Sequence, residues 1–188
     1  MSIPKEKWMT VDDLLLMPDD GNRYEVIEGE LFVTRAPNYD HQAVITNLAY
    51  LITAYLKQNP IGSVVAGPGV IFSKFSGVIP DLIFHLHKTR KKNLSGGKLK
   101  GAPELAIEIV SPGASSHRRD RVAKRHLFAK YGVQEYWIVD YKTRTVEVYV
   151  LEQKVLQLVT KLGDRDVLTS SVLPGFSCKV VDIFADLE

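Results

Sequence analysis

The alternation of apolar and polar positions is most informative between Ala102 and Pro112, where the chain reads APELAIEIVSP. This stretch is short, β-branched and bounded by glycine and proline, a pattern typical of a buried strand. Its fully apolar face consists of Leu105, Ile107 and Ile109. On the other face Glu108 stands between Ala106 and Val110. A buried carboxylate is costly unless a cation, a metal ion or a raised pKa compensates it, so we expect Glu108 to meet such a partner.

Hydrophobic periodicity also predicts the elements on either side of this strand. Before it we expect a short capped helix at Thr10–Met17, a hairpin at Arg23–Thr34 and a helix at His41–Lys57. Two strands should follow, the first running from Val64–Ala66 through Val70–Phe72 with a break or bulge at Gly67-Pro68-Gly69, and the second at Val78–Phe84. A mobile basic loop is expected at Lys88–Gly101. After it we expect a helix at His117–Tyr131 capped by Ser115 or Ser116 and a strand at Val133–Asp140. A hairpin at Thr145–Lys161 should follow, with Glu152-Gln153 in its turn, and then an apolar tail at Leu173–Leu187 that forms a strand or short helix.

This order of elements predicts an α/β fold with a mixed sheet flanked by helices. The helix at His117–Tyr131 makes a crossover connection, so the strands before and after it should be parallel. The chain has 188 residues, 45% of them hydrophobic and 24% charged, which suits one ordinary globular domain.

Features of membrane or secreted proteins are missing from the sequence. No apolar run approaches the ~20 residues of a membrane span. The N-terminus MSIPKEKWM lacks the apolar core of a signal peptide, and the single cysteine, Cys178, excludes an internal disulfide. We therefore expect a cytoplasmic protein with no membrane partner.

Basic residues are concentrated in two segments, although the formal net charge is only +2. Residues 88–103 carry six Lys and Arg and no acid, and residues 117–130 carry six more with one acid, Asp120. The rest of the chain holds 12 basic and 21 acidic residues. Such clustering favours a polyanionic partner, and a solvated loop and helix surface explain it about equally well.

One face of the predicted helix at His117–Tyr131 combines charge with apolar bulk. Helical spacing places Asp120, Lys124, Phe128 and Tyr131 on this face. Because the aromatic residues should pack on the sheet, Lys124 should point inward and find Asp120 or Glu108. The alternative is a solvated Asp120–Lys124 pair worth about 0.3–0.5 kcal/mol, since lysine stems readily extend toward water.

Asp81 occupies a core-like position in the strand predicted beside the Glu108 strand. Two carboxylates on neighbouring strands suit a hard cation such as Mg²⁺, which often uses one or two carboxylates plus water. The backbone carbonyl of Ile109 could complete such a site. Lys124 could then polarise or deprotonate the attacking water while phosphodiester hydrolysis proceeds.

Other polar residues leave alternatives open. His85 and His87 alternate onto the Asp81 face, which is compatible with a transition-metal site but more often marks exposed histidines at a strand end. Ser111 either hydrogen-bonds near Glu108 or starts the following turn. The predicted hairpin carries three acids, Glu25, Glu28 and Glu30. Either all three are solvated, or one of them reaches Glu108.

Pro80-Asp81, followed 26 residues later by Glu108-Ile109-Val110, resembles the motif of the PD-(D/E)xK nuclease superfamily. Four segments resemble more closely the Uma family of restriction-type endonucleases. They are RYEVIEGEL, the Pro80-Asp81-Leu82 strand, ELAIEIVSPGASSHRRDRVAKRHLFAKYGV and QEYWIVDYKTRTVEVY, and they span about Arg23 to Tyr149.

The resemblance implies a restriction-endonuclease-like fold with a core at residues 40–141, an N-terminal hairpin and a C-terminal β extension. It also implies metal-dependent cleavage of DNA, with Asp81 and Glu108 ligating Mg²⁺ or Mn²⁺. The catalytic lysine expected two residues after Glu108 is Val110 here, and Lys124 is in position to replace it. The remaining candidates are accessory residues Glu30, Asp120 and Ser111, and nucleic-acid-binding residues Lys91, Lys92, Arg118, Arg119 and Arg121.

Two other functions stay open at this point. With Val110 at the lysine position, the chain could be a nuclease-fold module that binds nucleic acid or a protein partner without turnover. A deep, closed pocket would instead favour a metal hydrolase of small phosphoesters. A nuclease that cuts both strands symmetrically would suit a homodimer.

Overall fold

The computed structural model describes residues 8–110 and 117–187, with the backbone alone at residue 117. Within these residues the strands are β1 (Arg23–Ile27), β2 (Glu30–Thr34), β3 (Gly62–Ala66), β4 (Val70–Ser73), β5 (Ser76–Val78), β6 (Leu82–Leu86), β7 (Leu94–Ser95), β8 (Lys98–Lys100), β9 (Leu105–Val110), β10 (Glu135–Asp140), β11 (Thr145–Glu152), β12 (Val155–Leu162), β13 (Val167–Thr169) and β14 (Ser177–Lys179). The helices are a 3-10 turn (Asp13–Leu16), α1 (Tyr39–Gln58), α2 (His87–Asn93), a π-helix (His117–Lys124), α3 (Arg125–Tyr131) and α4 (Val180–Ile183). None of these helices is long and apolar enough to cross a membrane.

Two six-stranded mixed sheets flanked by helices form the body of the fold, where one sheet was predicted. The first has the strand order β2-β1-β5-β4-β8-β7, and the second has the order β12-β11-β10-β9-β6-β3. The chain passes between the sheets at Gly67-Pro68-Gly69 and again at Pro80-Asp81. The prediction that one strand continues from Val64–Ala66 through Val70–Phe72 is therefore wrong, and so is the predicted continuous strand at Val78–Phe84. Proline has no N–H for the ladder, so Pro80 divides this segment and leaves Asp81 at the junction of the two sheets.

The N-terminal hairpin is confirmed. Strands β1 and β2 pair from Arg23 with Thr34 to Ile27 with Glu30. Glu28 and Gly29 both have positive φ angles, 51° and 85°, as a two-residue turn of type I′ requires.

Strand β9 lies inside the second sheet, parallel to β10 as the crossover predicts and antiparallel to β6. Leu105, Ile107 and Ile109 pack with α1 in one apolar core. Ala106 and Val110 belong to a second core that contains Phe128 of α3. The predicted alternation is thus confirmed, and Glu108 stands on the side of β9 that faces the π-helix and α3.

The predicted helix after this strand is present, but its first half is a π-helix. Segments of π-helix are rare and occur frequently at functional sites. Gly132 ends α3 with a left-handed φ of 88°, and its N–H donates to the carbonyls of Phe128 and Ala129. The proposed capping serines, Ser115 and Ser116, lie outside the described residues.

The prediction of a mobile loop at Lys88–Gly101 is wrong, because this segment forms α2, β7 and β8. Strand β8 pairs with β4 and β7 and so extends the first sheet. Glu104 holds the start of α2, since its carboxylate accepts the Leu86 N–H at 2.9 Å and the Thr89 hydroxyl. Residues 87–100 are therefore a built extension of the sheet, which we call the basic lobe.

The C-terminal β extension is also present. Strands β11 and β12 form a hairpin that widens the second sheet, with positive φ at Gln153 and Lys154, so the turn lies one residue later than predicted. The apolar tail contributes both predicted element types, because β14 pairs with β13 and α4 follows it.

Candidate active site

Lys124 lies at the centre of a buried cluster of acids. Its Nζ is 2.8 Å from Glu108 Oε1, 2.9 Å from Glu25 Oε1 and 3.9 Å from Asp120 Oδ1. The lysine side chain is 1% exposed, so the alternative of a solvated Asp120–Lys124 pair does not hold. Strand β1, strand β9 and the π-helix each supply members of this cluster, which joins parts of the chain that are far apart in sequence.

Asp81 adjoins this cluster at the junction of the sheets. Its carboxylate lies 3.0 Å from Arg23 Nη1 and 3.2 Å from His41 Nε2, and it accepts the Ile109 N–H at 2.9 Å. The Ile109 contact ties Asp81 to the strand that carries Glu108. The two acids predicted to act together are therefore held close to each other, Glu108 on β9 and Asp81 just before the neighbouring strand β6.

Burial and neighbouring charges shift the pKa values of the acids Glu108, Asp120 and Asp81 in different directions. Burial raises the pKa of Glu108 well above its usual range; Lys124 opposes this rise, and the nearby carboxylates of Asp81, Asp120 and Glu25 add to it. Burial likewise raises the pKa of Asp120, against the effect of Lys124 and Arg119. For Asp81 burial alone would raise the pKa, but the His41 hydrogen bond, the Lys124 charge and the Ile109 N–H lower it overall. Asp81 is thus the acid most firmly held as a carboxylate.

The pKa of Lys124 is raised. Burial alone would lower it, but the charges of Glu108, Glu25 and Asp120 outweigh burial. A lysine in this environment stays protonated at neutral pH. Lys124 can therefore stabilise negative charge but cannot accept a proton from water in this arrangement.

Arg119 is the second cation of the cluster. It donates from Nε and Nη2 to the two carboxylate oxygens of Asp120 at 2.7 and 2.8 Å, and its Nε is 3.9 Å from Glu25 Oε2. Such paired donation fixes the planar guanidinium firmly. Asp120 therefore holds Arg119 and Lys124 next to each other.

The cluster forms one wall of a cavity of about 500 Å³. Ionisable side chains dominate this wall; they include Arg23, Glu25, Asp81, Glu108, Arg119 and Lys124. His41 also lines the cavity, and its Nδ1 is buried without a hydrogen-bond partner. The residues that follow β2, from Ala36 to Asn38, close another side.

A divalent cation suits the donor chemistry of this cavity. Among the described residues, no group of three or more His, Cys, Asp or Glu side chains is arranged to hold a metal ion. Mg²⁺ commonly uses only one or two carboxylates and completes its coordination with water. Asp81 and Glu108 supply two such carboxylates in the cavity wall. In addition, the buried Nδ1 of His41 has no hydrogen-bond partner in the protein and is available to a bound group. Mutual repulsion between the acids is the kind of strain that a cation relieves.

Glu30 does not reach the cluster, and Glu25 is found there in its place. Glu30 is 49% exposed and forms a two-bond pair with Arg118, at 2.7 and 2.9 Å. Both acids are on the same face of the hairpin, because Glu25 pairs with Phe32 and Glu30 with Ile27. Glu30 lies at the turn, however, about 7 Å farther along the hairpin, where the sheet no longer covers it.

Sequence reasoning did not select Arg23 or His41 as site residues, and it named Glu25 only as one of three hairpin acids of which one could reach Glu108. A signal existed for each. Alternation along β1 puts Arg23 and Glu25 on the face of the buried Ile27. Helical spacing puts His41 on the same face of α1 as the buried Val44 and Ile45.

The predicted nucleic-acid-binding residues fall into two groups. Arg118 pairs with Glu30, Arg119 with Asp120 and Arg121 with Glu147. Lys91 and Lys92 are exposed on α2, which follows the end of β6 opposite to Asp81. Strand β6, which is five residues or about 16 Å long, separates Asp81 from the start of α2.

Several other candidates take no part in the described site. His85 is buried and within 3.4 Å of the Leu86 carbonyl, whereas His87 is exposed at the start of α2, so no site of two histidines and Asp81 forms. Ser111 lies outside the described residues. Cys178 is buried in the apolar core, as expected of a structural cysteine.

Comparison with known proteins agrees with this geometry. A solved structure described as "a putative nuclease belonging to DUF820" from Anabaena variabilis matches with a TM-score of 0.74 and 20% sequence identity, over 94% of this chain and 97% of that one. This likeness confirms the restriction-endonuclease-like α/β fold. No curated protein matches the chain. The family model Uma2, described as "Putative restriction endonuclease", matches residues 11–181. The match covers most of the sequence, and the chain therefore belongs to the Uma2 family.

Proposed function

We propose that this protein is a metal-dependent endonuclease that hydrolyses DNA phosphodiester bonds. The observation that carries the proposal is the 2.8 Å contact between Lys124 Nζ and Glu108 Oε1 beside Asp81. It brings a cation together with Glu108 of β9 beside Asp81, which directly precedes β6, although the usual lysine position is occupied by Val110. The family and the fold support the same reaction class.

Asp81 and Glu108 would hold the metal ion, Mg²⁺ or Mn²⁺, and the Ile109 carbonyl is the proposed third oxygen. When bound, the ion supplies Lewis-acid stabilisation of charge on the phosphoryl group. Lys124 has three N–H donors, two of which face Glu108 and Glu25. The third would donate to a phosphate oxygen and stabilise the negative charge that develops there.

Asp120 is a positioning residue in this proposal. It pairs with Arg119 and lies 3.9 Å from Lys124, and the Tyr136 hydroxyl donates to its backbone carbonyl at 2.9 Å. These contacts fix the π-helix against the sheet. Asp120 thereby holds the two cations at the cavity wall without contacting the substrate.

Plasmid nicking tests the proposal. Purified protein is incubated with supercoiled plasmid in Mg²⁺ or Mn²⁺, beside a sample with EDTA. Glu108→Gln keeps the side-chain shape but removes the charge, and we expect it to slow nicking by about 10²–10³-fold, the range typical for losing one stabilising group. Glu30→Gln is the matched control, because its exposed carboxylate is outside the cavity, and we expect it to nick at the wild-type rate.

Metal-independent nicking, or equal rates for Glu108→Gln and the wild type, would refute the proposed site. Circular dichroism of each variant verifies that the fold is intact. Loss of nicking in Glu30→Gln alone would return the accessory role to that residue.

One observation favours a second candidate, a nuclease-fold module that binds nucleic acid or a protein partner without cleaving. The Asp81 carboxylate already faces Arg23, His41 and the Ile109 N–H, so the protein itself neutralises the acid that a metal would need. DNA binding in a gel shift without metal-dependent nicking would support this module and reject the endonuclease.

A further inference from the structure

The basic lobe carries charge that the rest of the described chain does not neutralise. It holds six Lys and Arg and no acid, whereas the other residues carry 18 Lys and Arg against 22 Asp and Glu. Its cations are Lys88, Arg90, Lys91, Lys92, Lys98 and Lys100. Within the described residues, none of the ion pairs found includes any of them; the pairs are those of Arg23, His41, Arg118, Arg119, Arg121, Lys124, Lys130, Lys142, Arg144 and Lys161.

The nearest acid in sequence does not compensate this charge. Glu104 is buried, and its carboxylate is engaged by the Leu86 N–H and the Thr89 hydroxyl, which are uncharged donors. The other basic segment differs, because Arg118, Arg121 and Lys130 each pair with a carboxylate. The lobe is therefore the stronger candidate for a free anion-binding surface.

Sheet topology places part of the lobe on the same edge as the cavity. Strands β1 and β4 are each antiparallel to β5, and β8 is parallel to β4. Strands β1, β4 and β8 therefore run in the same direction, and Lys98 at the start of β8 lies at the same end of the sheet as Arg23 at the start of β1. Three strand spacings separate the two residues, a distance of about 14 Å.

An extended polyanion fits this arrangement better than a membrane surface does. Helices that bind at a lipid interface need an apolar face as well as basic residues. The α2 sequence HKTRKKN has no apolar side chain, and Leu94 is the one large exposed hydrophobic residue found in the lobe. Phosphates of one DNA strand follow each other at about 3.4 Å measured along the helix axis, so 14 Å along the axis corresponds to about four of them.

We propose that the basic lobe is an anchoring surface for nucleic-acid phosphates about four or more nucleotides away from the cavity. The inference rests on the proposed function in taking the substrate as the bound polyanion. Lys98 contacts the nucleic-acid phosphates on the side of the lobe nearest the cavity, and Lys91 and Lys92 contact phosphates farther from the cavity. The lobe raises affinity for long substrates and takes no part in bond cleavage.

The salt dependence of DNA binding tests the inference without requiring cleavage. A lobe variant, Lys91→Gln/Lys92→Gln/Lys98→Gln, is compared with a control variant, Lys57→Gln/Arg165→Gln/Lys179→Gln. All six residues lie at the surface and outside the ion pairs described, and both variants remove the same net charge. Binding of a fluorescent 30-base-pair duplex is measured by anisotropy in EDTA between 50 and 200 mM salt.

Each phosphate contact contributes a slope of about −0.9 to log affinity against log salt. Losing three contacts should flatten the slope by about 2.7, so across this fourfold salt range the wild type should lose about 40-fold more affinity than the lobe variant. The control variant should keep the wild-type slope. Equal slopes for the lobe variant and the wild type would overturn the inference, whether or not the protein cuts DNA.

Two further measurements separate the remaining outcomes. If the wild type cleaves, the lobe variant should show a raised KM for plasmid. Its hydrolysis of bis(p-nitrophenyl) phosphate should be unchanged, because this small diester fits the cavity alone. A reduced rate with the small diester would overturn the anchoring role. Vesicles containing phosphatidylserine test the membrane alternative. Loss of vesicle binding in the lobe variant with an unchanged DNA slope would reject nucleic acid as the partner.

Discussion

Removing the charge of Lys124 should destabilise the fold in a way that depends on pH. Lys124→Met preserves the length of the side chain but leaves Glu25, Glu108 and Asp120 buried around an uncharged group. Breaking a buried ion pair on one side typically costs about 3–5 kcal/mol, because the remaining charge stays buried. For a protein of this size, such a loss lowers the Tm by about 6–20 °C.

The pH dependence follows from Glu108. Its pKa is already raised by burial, and Lys124 opposes that rise, so Lys124→Met should raise it further. An acid whose pKa is higher in the folded than in the unfolded state stabilises the fold at low pH and loses this contribution as pH rises through the folded pKa. The cost of Lys124→Met should therefore be smaller at pH 5 than at pH 8.

Urea unfolding at both pH values measures this cost. Fluorescence follows the transition, since Trp137 is fully buried and exposed on unfolding. Lys130→Met is a matched control from the same helical segment, because Lys130 pairs with Glu28 at the surface and its removal should leave the midpoint unchanged. Glu108→Gln added to Lys124→Met should recover stability at pH 8, since it removes the uncompensated charge.

A loss below about 1 kcal/mol that is the same at pH 5 and pH 8 would refute the reasoning, because an exposed pair behaves in that way. A double variant less stable than Lys124→Met would also contradict it. The charge of Glu108 would then not be the cause of the instability.

Three further predictions concern single groups. His41→Ala should raise the pKa of Asp81, which the His41 hydrogen bond helps to lower below its ordinary value of 3.8. A lowered carboxylate pKa stabilises the fold above that ordinary value, and this contribution is lost as the pH falls. The urea midpoints of His41→Ala and the wild type should therefore differ more at pH 6 than at pH 3, and equal differences would contradict this. Mn²⁺ at 100 times its Kd should stabilise the protein by about 2.7 kcal/mol in a thermal scan, and Asp81→Asn should abolish the shift; a shift retained in that variant would exclude Asp81 as a ligand. Burial raises the pKa of the Cys178 thiol to about 12, so Ellman's reagent should react with it in urea but not in the native protein, and rapid native reaction would refute its burial.

The contact between Glu108 and Lys124 was predictable because each residue is placed by a local period. Alternation separates Glu108 from Ile107 and Ile109 on β9, and helical spacing groups Lys124 with Phe128. Once the crossover makes β9 and β10 parallel, the helical segment between them must pack on the sheet face that carries Glu108. Short-range rules were sufficient for this half of the site.

The other half depended on pairing between distant segments. Whether Glu25 or Glu30 reaches Lys124 is decided by where β1 docks beside β5, and no local period determines that position. The division into two sheets at Pro80-Asp81 has the same origin. Charge counts could not distinguish neutralised cations such as Arg118 from free ones such as Lys91, because the partners lie far away in sequence.

The site should accept its lysine from either side of Glu108. Val110 shares a strand face with Glu108, and two residues along a strand span about 6.6 Å, which a lysine side chain can bridge. In Lys124→Met/Val110→Lys, the new ammonium should therefore approach Glu108 from the strand and restore part of the unfolding free energy at pH 8 and part of the plasmid nicking. Recovery should be incomplete, because Val110 is packed in the second core and a larger side chain there typically costs about 1–3 kcal/mol. Ile109→Lys in the same background is the control, since it directs the charge into the opposite, apolar face. No rescue by Val110→Lys would show that the cluster needs Lys124 itself, and equal rescue by Ile109→Lys would show that recovery does not depend on a cation beside Glu108.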